Sequence, residues 1–215
     1  MGPSDGHALA GMLAQAAAGR FPPPDGVVDV VPSPPGRSDA VVAFTAHSVV
    51  AAPVPEDEVR AQLTPGDLGA ATDARFLAWL AGRLGTAPGM LDLVLVAPAR
   101  PAAEPLVARD DLADHPRLER ARLYRDDVTA FEDAEGRGLI VLGHGLAGRL
   151  EVAIEVEPEQ RGRGLGRRLA AAALGLPTAG ELVYAQVTPG NTASLRAFLA
   201  AGYRPIGSEV LFLRQ

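Results

Sequence analysis

Glycine occupies every second place in Gly162-Arg163-Gly164-Leu165-Gly166, and two carboxylates, Glu151 and Glu155, stand on the segment just before it. Glycines so spaced let a backbone approach a ligand closely and take dihedrals that a side chain forbids. A helix-like run, Arg167 to Leu174, follows, so unpaired N–H groups and the positive end of a helix dipole face the loop. Such a turn is an anion site, suited to phosphate. The preceding stretch, Leu150 to Val156, reads as a strand. Its alternation puts Val152, Ile154 and Val156 on one face and Glu151, Ala153, Glu155 and Glu157 on the other. With one face in a core, the carboxylates are expected at the surface or in a substrate cleft, where they could take a proton.

Spacing decides among the phosphate motifs. A dinucleotide fingerprint counted from Gly162 or Gly164 would need its third glycine at Arg167 or Leu169, and a P-loop needs a lysine that the chain lacks. What remains is R-x-x-G-x-G at Arg161, Gly164 and Gly166, preceded by Ile154-Glu155-Val156-Glu157-Pro158. This resembles the acyl-coenzyme A loop of the GNAT superfamily of N-acetyltransferases, L-x-V-x-P-x-x-R-G-x-G-[IL]-G, with Ile154 in place of the leading leucine. The stretch from Asn191 through Ser194 and Phe198 to Gly202 and Tyr203 resembles the second motif of that family, except that Phe198 stands where the family usually has tyrosine. The resemblance spans roughly residues 125 to 215.

The resemblance implies acetyl-CoA as cosubstrate and an amine as acceptor. By it, the backbone of Ile154, Glu155 and Val156 pairs with the pantetheine arm. The N–H groups of Arg161, Gly162, Arg163, Gly164, Leu165 and Gly166 hold the pyrophosphate, with charge-assisted contacts from Arg161, Arg163 or Arg167. Arg168 reads instead as a solvated helix start. Asn191 bonds pantetheine amides or caps its helix, and Ser194 and Phe198 complete the cofactor contacts. Acetyl transfer to an amine needs a base, donors for the oxyanion and, in some enzymes, an acid for the thiolate. Glu155, nearest the expected thioester, is the first candidate base and Glu151 the second. Phe198 has no proton to give, so Tyr184 or Ser194 is the candidate acid, with Tyr203 in a packing role; unassisted departure of thiolate is the other route. His144, between two glycines, could also act as a base, although His144, His47 and His115 all read more simply as turn histidines.

Composition sets outer bounds. A net charge of −6 argues against general affinity for nucleic acid or anionic membranes. The absence of cysteine excludes disulfides, thiolate metal sites and a cysteine nucleophile. No apolar run approaches the length of about 20 residues needed to span a bilayer, and a cytoplasmic protein is expected. A homodimer is left open.

Around the loop, alternating strands and helices imply an α/β protein. Helices are expected over His7 to Ala18, from Pro55 to near Leu63, over Asp73 to Leu84, and over Leu118 to Tyr124. Strands are expected at Val27 to Val31, Ala40 to Ala52 (straight or bent), Leu91 to Ala97, Val128 to Phe131, Leu139 to Gly143, Ala147 to Val156 and Leu182 to Val187. Turns at Glu135-Gly136 and Gly145 to Gly148 favour antiparallel hairpins. Pro98 to Pro105 is the linker candidate. It divides an N-terminal α/β region, residues 1–100, from an acyl-CoA-binding region, residues 101–215. The first is read as a substrate-side lobe or a degenerate copy of the fold. The opening strand and helices of the family core are not visible in the second half and are expected from the first. The fold expected is thus a GNAT-like mixed, mostly antiparallel sheet flanked by helices, with an additional α/β region. The function expected is an N-acetyltransferase; the second reading is a non-catalytic acyl-CoA-binding sensor or interaction module.

Overall fold

The computed structural model describes residues 6–101 and 104–214, so Ala102 and Ala103 of the expected linker lie outside the described residues. The described residues form two compact units, one within residues 6–93, 146–148 and 206–214 and the other within residues 94–101, 104–145 and 149–205. The fold is mixed α/β, with a mostly antiparallel sheet and flanking helices.

In the first unit, α1 (Ala8–Ala17) precedes β1 (Val28–Val31), β2 (Ser38–Phe44), β3 (His47–Ala51), α2 (Glu56–Gln62), α3 (Ala74–Leu84) and the opening part of β4 (Pro88–Pro98). The single strand expected over Ala40 to Ala52 is a hairpin: β2 and β3 pair antiparallel from Ala40↔Ala51 to Phe44↔His47. The reversal falls at Ala46, a non-glycine residue at φ 52°. β1 pairs parallel with β3. The α3 start is fixed by Asp73, whose Oδ1 accepts the Arg75 N–H at 2.8 Å, and its end by Gly85 at φ 68°. Val41, Val50, Val59, Phe76, Leu80 and Phe212 form the core between these elements. His47 is buried, with ring nitrogens 3.0 Å from Asp25 and 3.2 Å from Asp29.

The second unit begins with the buried end of β4 and continues through β5 (Leu106–Ala108), α4 (Pro116–Tyr124), β6 (Asp126–Asp133), β7 (Gly138–His144), β8 (Leu150–Val156), α5 (Leu165–Ala173), β9 (Leu182–Val187), α6 (Thr192–Ala200) and the first residues of β10 (Arg204–Leu213). β5 pairs antiparallel with β6. An opening strand therefore lies in the second half, contrary to the expectation that it comes from the first, and α4 falls where a helix was expected. β5 is three residues long, after Pro105, too short for its alternation to register. The β6–β7 and β7–β8 hairpins are antiparallel, as the turn residues led us to expect. The remainder of β10 pairs with β2 in the first unit.

Each sheet face of the second unit has its own helix. Leu118 and Ala121 of α4 pack on Ala130, Leu139 and Val141. On the opposite face lies α5, whose Leu165 and Leu169 approach Gly138. Because residues opposite each other in a ladder share a face, the pairs Leu139↔Glu155, Val141↔Ala153 and Gly143↔Glu151 put both glutamates on the α4 face.

Candidate functional site

β8 is held differently on its two edges. Toward β7 it is paired throughout, from His144↔Leu150 to Gly138↔Val156. Toward β9 the parallel ladder runs over Leu150↔Val183 and Glu151↔Tyr184. Gly145 donates its N–H to the Arg149 carbonyl at 2.9 Å, and Glu157 donates to the Arg137 carbonyl at 3.1 Å. These bonds mark the odd-numbered residues as the ones bonded to β7. By the antiparallel alternation, Ile154 and Val156 turn their N–H and C=O groups to the other edge, past the end of the β9 ladder. There the Val156 carbonyl accepts a bond from Arg161 Nε at 3.2 Å. Of the three residues expected to pair with pantetheine, Glu155 thus directs its backbone to β7, and Ile154 and Val156 direct theirs to the open edge.

The loop continues from that edge. Gly162 lies at φ 76° and Gly164, the residue before α5, at φ 82°, and nothing stands within 4 Å of where a side chain would begin at either. The N-terminus of α5 takes no side-chain cap, in contrast to α6, where Asn191 Oδ1 accepts the Ser194 N–H at 3.1 Å. Gly166 brings α5 close: a Cβ there would lie 3.6 Å from both Ala197 and Val156. Arg168 is ion-paired to Glu104 at 2.8 Å, in keeping with its reading as an ordinary helix-start residue, while Arg163 and Arg167 are exposed. Two arginines in the first turn oppose the helix dipole, and an anion in the cradle would relieve that opposition. The residues present therefore fit a diphosphate.

The α4 face carries the polar chemistry. Glu151 is 1% exposed, which corrects its expected surface position: strand alternation gave its face, but buried arginines cover it. Its Oε2 accepts from Arg125 Nε and its Oε1 from Arg149 Nε, each at 2.8 Å. Burial pushes the Glu151 carboxyl up, but the charges of Arg149 and Arg125 outweigh this and hold it below the ordinary glutamate value. Gly145 is required beside it, since a side chain there would overlap the carboxylate. Tyr184 is 4% exposed, with the Arg149 guanidinium 5.4 Å from its ring centre; burial raises its pKa, and the charge of Arg149 opposes this. Arg125 Nη2 donates to Gln186 Oε1 at 3.1 Å. Sequence reasoning missed Arg125 and Gln186. The only signal for them was their place at the end of a helix and on alternating positions of β9.

Glu155 is different. It is half-buried, and its Oε2 accepts from Arg117 Nε of α4 at 2.8 Å. Phe198 is 3% exposed and packs edge-on against Tyr203, with ring centres 4.9 Å apart. The histidines are dispersed. His115 caps α4 by accepting the Arg117 N–H at 3.1 Å, and His144 Nδ1 stands 3.6 Å from Asp127.

Residues 144–212 match the model of the family described as FR47-like protein, over the stretch that carries both motifs. Among curated proteins no relative matches. Solved structures that align with this chain include a GCN5-related N-acetyltransferase from Kribbella flavida, at 16% identity and TM-score 0.40, covering 65% of this chain and 64% of that one. A GNAT-family protein from Novosphingobium aromaticivorans aligns at 20% identity and TM-score 0.43, over 61% of this chain and 68% of its own. A functionally unknown conserved protein from Staphylococcus epidermidis aligns at 14% identity and TM-score 0.42, over 66% and 67%. The chain thus spans a little under two thirds of the first of these. Among the described residues, no helix is long and apolar enough to cross a membrane.

Proposed function

From the premise that residues 144–212 are an FR47-like, GNAT-related segment, we propose that this protein is an N-acetyltransferase that moves an acetyl group from acetyl-CoA to a primary amine. One observation carries the proposal. The β8 edge at Ile154 and Val156 lies open past the end of the β9 ladder and leads directly into an uncapped helix N-terminus lined by glycine. An extended amide-bearing arm ending in a diphosphate meets both needs at once: it adds to the strand edge and lays its phosphates on the loop N–H groups. The bond from Arg161 to the Val156 carbonyl is then exchanged for one from the arm, which frees the guanidinium for phosphate.

The amine nitrogen attacks the thioester carbonyl carbon, the N–C bond forms, and the C–S bond breaks. The amine proton passes to Glu155, directly or through water. Glu155 suits this because its carboxylate is partly exposed on the face away from α5, with Arg117 holding it in place. Glu151, enclosed between two guanidinia, is a positioning residue. Tyr184, kept protonated by burial, is the proposed donor to the leaving thiolate.

The test is acetyl-CoA turnover over a broad panel of amines, read as free thiol, together with calorimetry of CoA binding. Binding with thiol release that depends on an amine supports the enzyme. Tight binding with no release above background replaces it with a non-catalytic acyl-CoA module, the reading that Phe198 favours, since the usual tyrosine is missing. Absence of CoA binding overturns both.

A further inference from the structure

The proposed base carries a cation beside it. Glu155 Oε2 accepts from Arg117 Nε at 2.8 Å, and among the described residues this is the one bond that either charged group makes. Glu155 Oε1 is therefore uncommitted, on a side chain 35% exposed. Arg117 is fixed at its backbone: its N–H donates to His115 Nδ1 at 3.1 Å, in the first turn of α4. The guanidinium thus reaches Glu155 from a rigid element, through a single partly solvated contact.

The other charged and titratable groups around this pair have partners of their own or lie in solvent. Across the sheet on the same face stand Leu139 of β7 and Glu132 of β6, and Glu132 is ion-paired to Arg109. At the start of β7, Arg137 is bonded to Asp133 and Glu135. Along β8, Glu151 is enclosed with Arg125 and Arg149, and Glu157 is exposed. Tyr184 of β9 is buried beside Arg149. On α4, His115 caps the helix, while Glu119 and Arg120 are exposed, where salt and water screen them. The charge met by a group arriving at Glu155 Oε1 is therefore set chiefly by Glu155 and Arg117 together.

That balance bears on the reaction. A primary amine such as a lysine side chain titrates near about 10.4, so it arrives from neutral water as an ammonium, and only the neutral form has a lone pair to attack with. A lone carboxylate would oppose the change, since an opposite charge within about 4–6 Å favours the charged form. We propose that Arg117 is a positioning residue that cancels the charge of Glu155, so that the acceptor gives its ammonium proton to water on entry and reacts as the neutral amine. Glu155, held by Oε2, then takes at Oε1 the proton released as the N–C bond forms. This inference rests on the acyl-transfer reading above and on Glu155 as its base.

The test follows the best acceptor of the amine panel in the wild-type full chain, Arg117→Gln and Arg117→Lys. Turnover at saturating acetyl-CoA is read as free thiol from about pH 6 to about pH 10, the span below ordinary amine values. In Arg117→Gln the limb over which kcat rises with pH should move up by about one unit, the low end for a neighbouring charge because the pair is partly exposed. At neutral pH kcat then falls about tenfold, while KM for the amine does not rise, because the uncompensated carboxylate still holds the ammonium. Arg117→Lys keeps the charge and should keep the wild-type limb. Circular dichroism shows that each variant is folded. A merely structural role would lower kcat by one factor at every pH and leave the limb in place, and that result overturns the proposal. So does a limb displaced equally in Arg117→Lys, or faster turnover at neutral pH in Arg117→Gln, which would mean that the guanidinium only weakens the base. Turnover with coincident limbs removes this inference and leaves acyl transfer standing; no turnover of any amine removes both.

Discussion

The two ends of β8 make opposite use of the same residue type. At the inner end Glu151 is enclosed by Arg125 and Arg149, and the strand is paired on both edges. At the outer end Glu155, on the same face, is partly exposed with one partner, and the strand is paired to β7 only within the described ladders. The enclosed glutamate holds the sheet together, whereas the other stands where a substrate could reach it. A carboxylate on a strand face is therefore assigned by what surrounds it, not by the alternation that placed it there.

The largest effect should come from breaking the inner end. Glu151→Gln keeps the shape and removes the charge that faces two buried guanidinia, a loss of about 3–5 kcal/mol. That is a large share of a typical domain stability of about 5–15 kcal/mol, and urea unfolding would read it as a lower midpoint. The pH dependence has a definite sign. Because the folded Glu151 carboxyl lies below its ordinary value of 4.5, its stabilisation is present above that value and is lost as pH falls through the folded one. The wild type should lose stability on acidification in that window, and Glu151→Gln should show a shallower loss.

At the outer end Glu155→Gln should separate chemistry from structure. Removal of a general base costs about 10²–10⁴ in rate, with CoA affinity unchanged and the unfolding midpoint nearly so. If kcat falls less than threefold at every pH, Glu155 is not the base, and the contrast between the two glutamates loses its functional half.

These two glutamates also show what the amino-acid order makes legible. The glycine loop, the strand before it and the helices on either side are local patterns, and they fall within a few residues of where the residues place them. The face shared by Glu151 and Glu155 is equally local. The burial of Glu151 is not: Arg125, which closes over it, lies 26 positions earlier in the chain and reaches it across Gly143, the β7 partner of Glu151. Gln186 is hidden for the same reason. The β2–β3 reversal escaped because its turn is Thr45-Ala46, without glycine, asparagine or aspartate to mark it, and the tertiary structure holds Ala46 at positive φ.

The loop that follows the outer end can be tested by charge alone. Asn and Asp both tolerate the left-handed backbone of Gly164 and have nearly the same shape. Gly164→Asn should therefore retain most CoA affinity. Gly164→Asp places a negative charge beside the diphosphate and should weaken binding about tenfold further, as repulsion of about 1–2 kcal/mol at partly screened distances requires. Calorimetry at low and moderate salt would check it, since the gap between the two variants should narrow as salt rises. Equal affinities would mean that no phosphate lies against this turn.

The smallest effect is expected at Arg117, and it sharpens the contrast because it repeats the first perturbation from the cation side. Arg117→Gln removes the partner of Glu155 from a pair whose side chains are each 35% exposed. Water can replace the lost contact, so the cost should be about 0–1 kcal/mol. The same change at Arg149 leaves Glu151 one guanidinium short within an enclosed space, where water cannot substitute, and should cost several-fold more. Parallel urea titrations of the two variants measure the difference directly. Similar losses would mean that solvent screens the inner end as well as the outer, and the division of β8 into a fixed end and an available one would not stand.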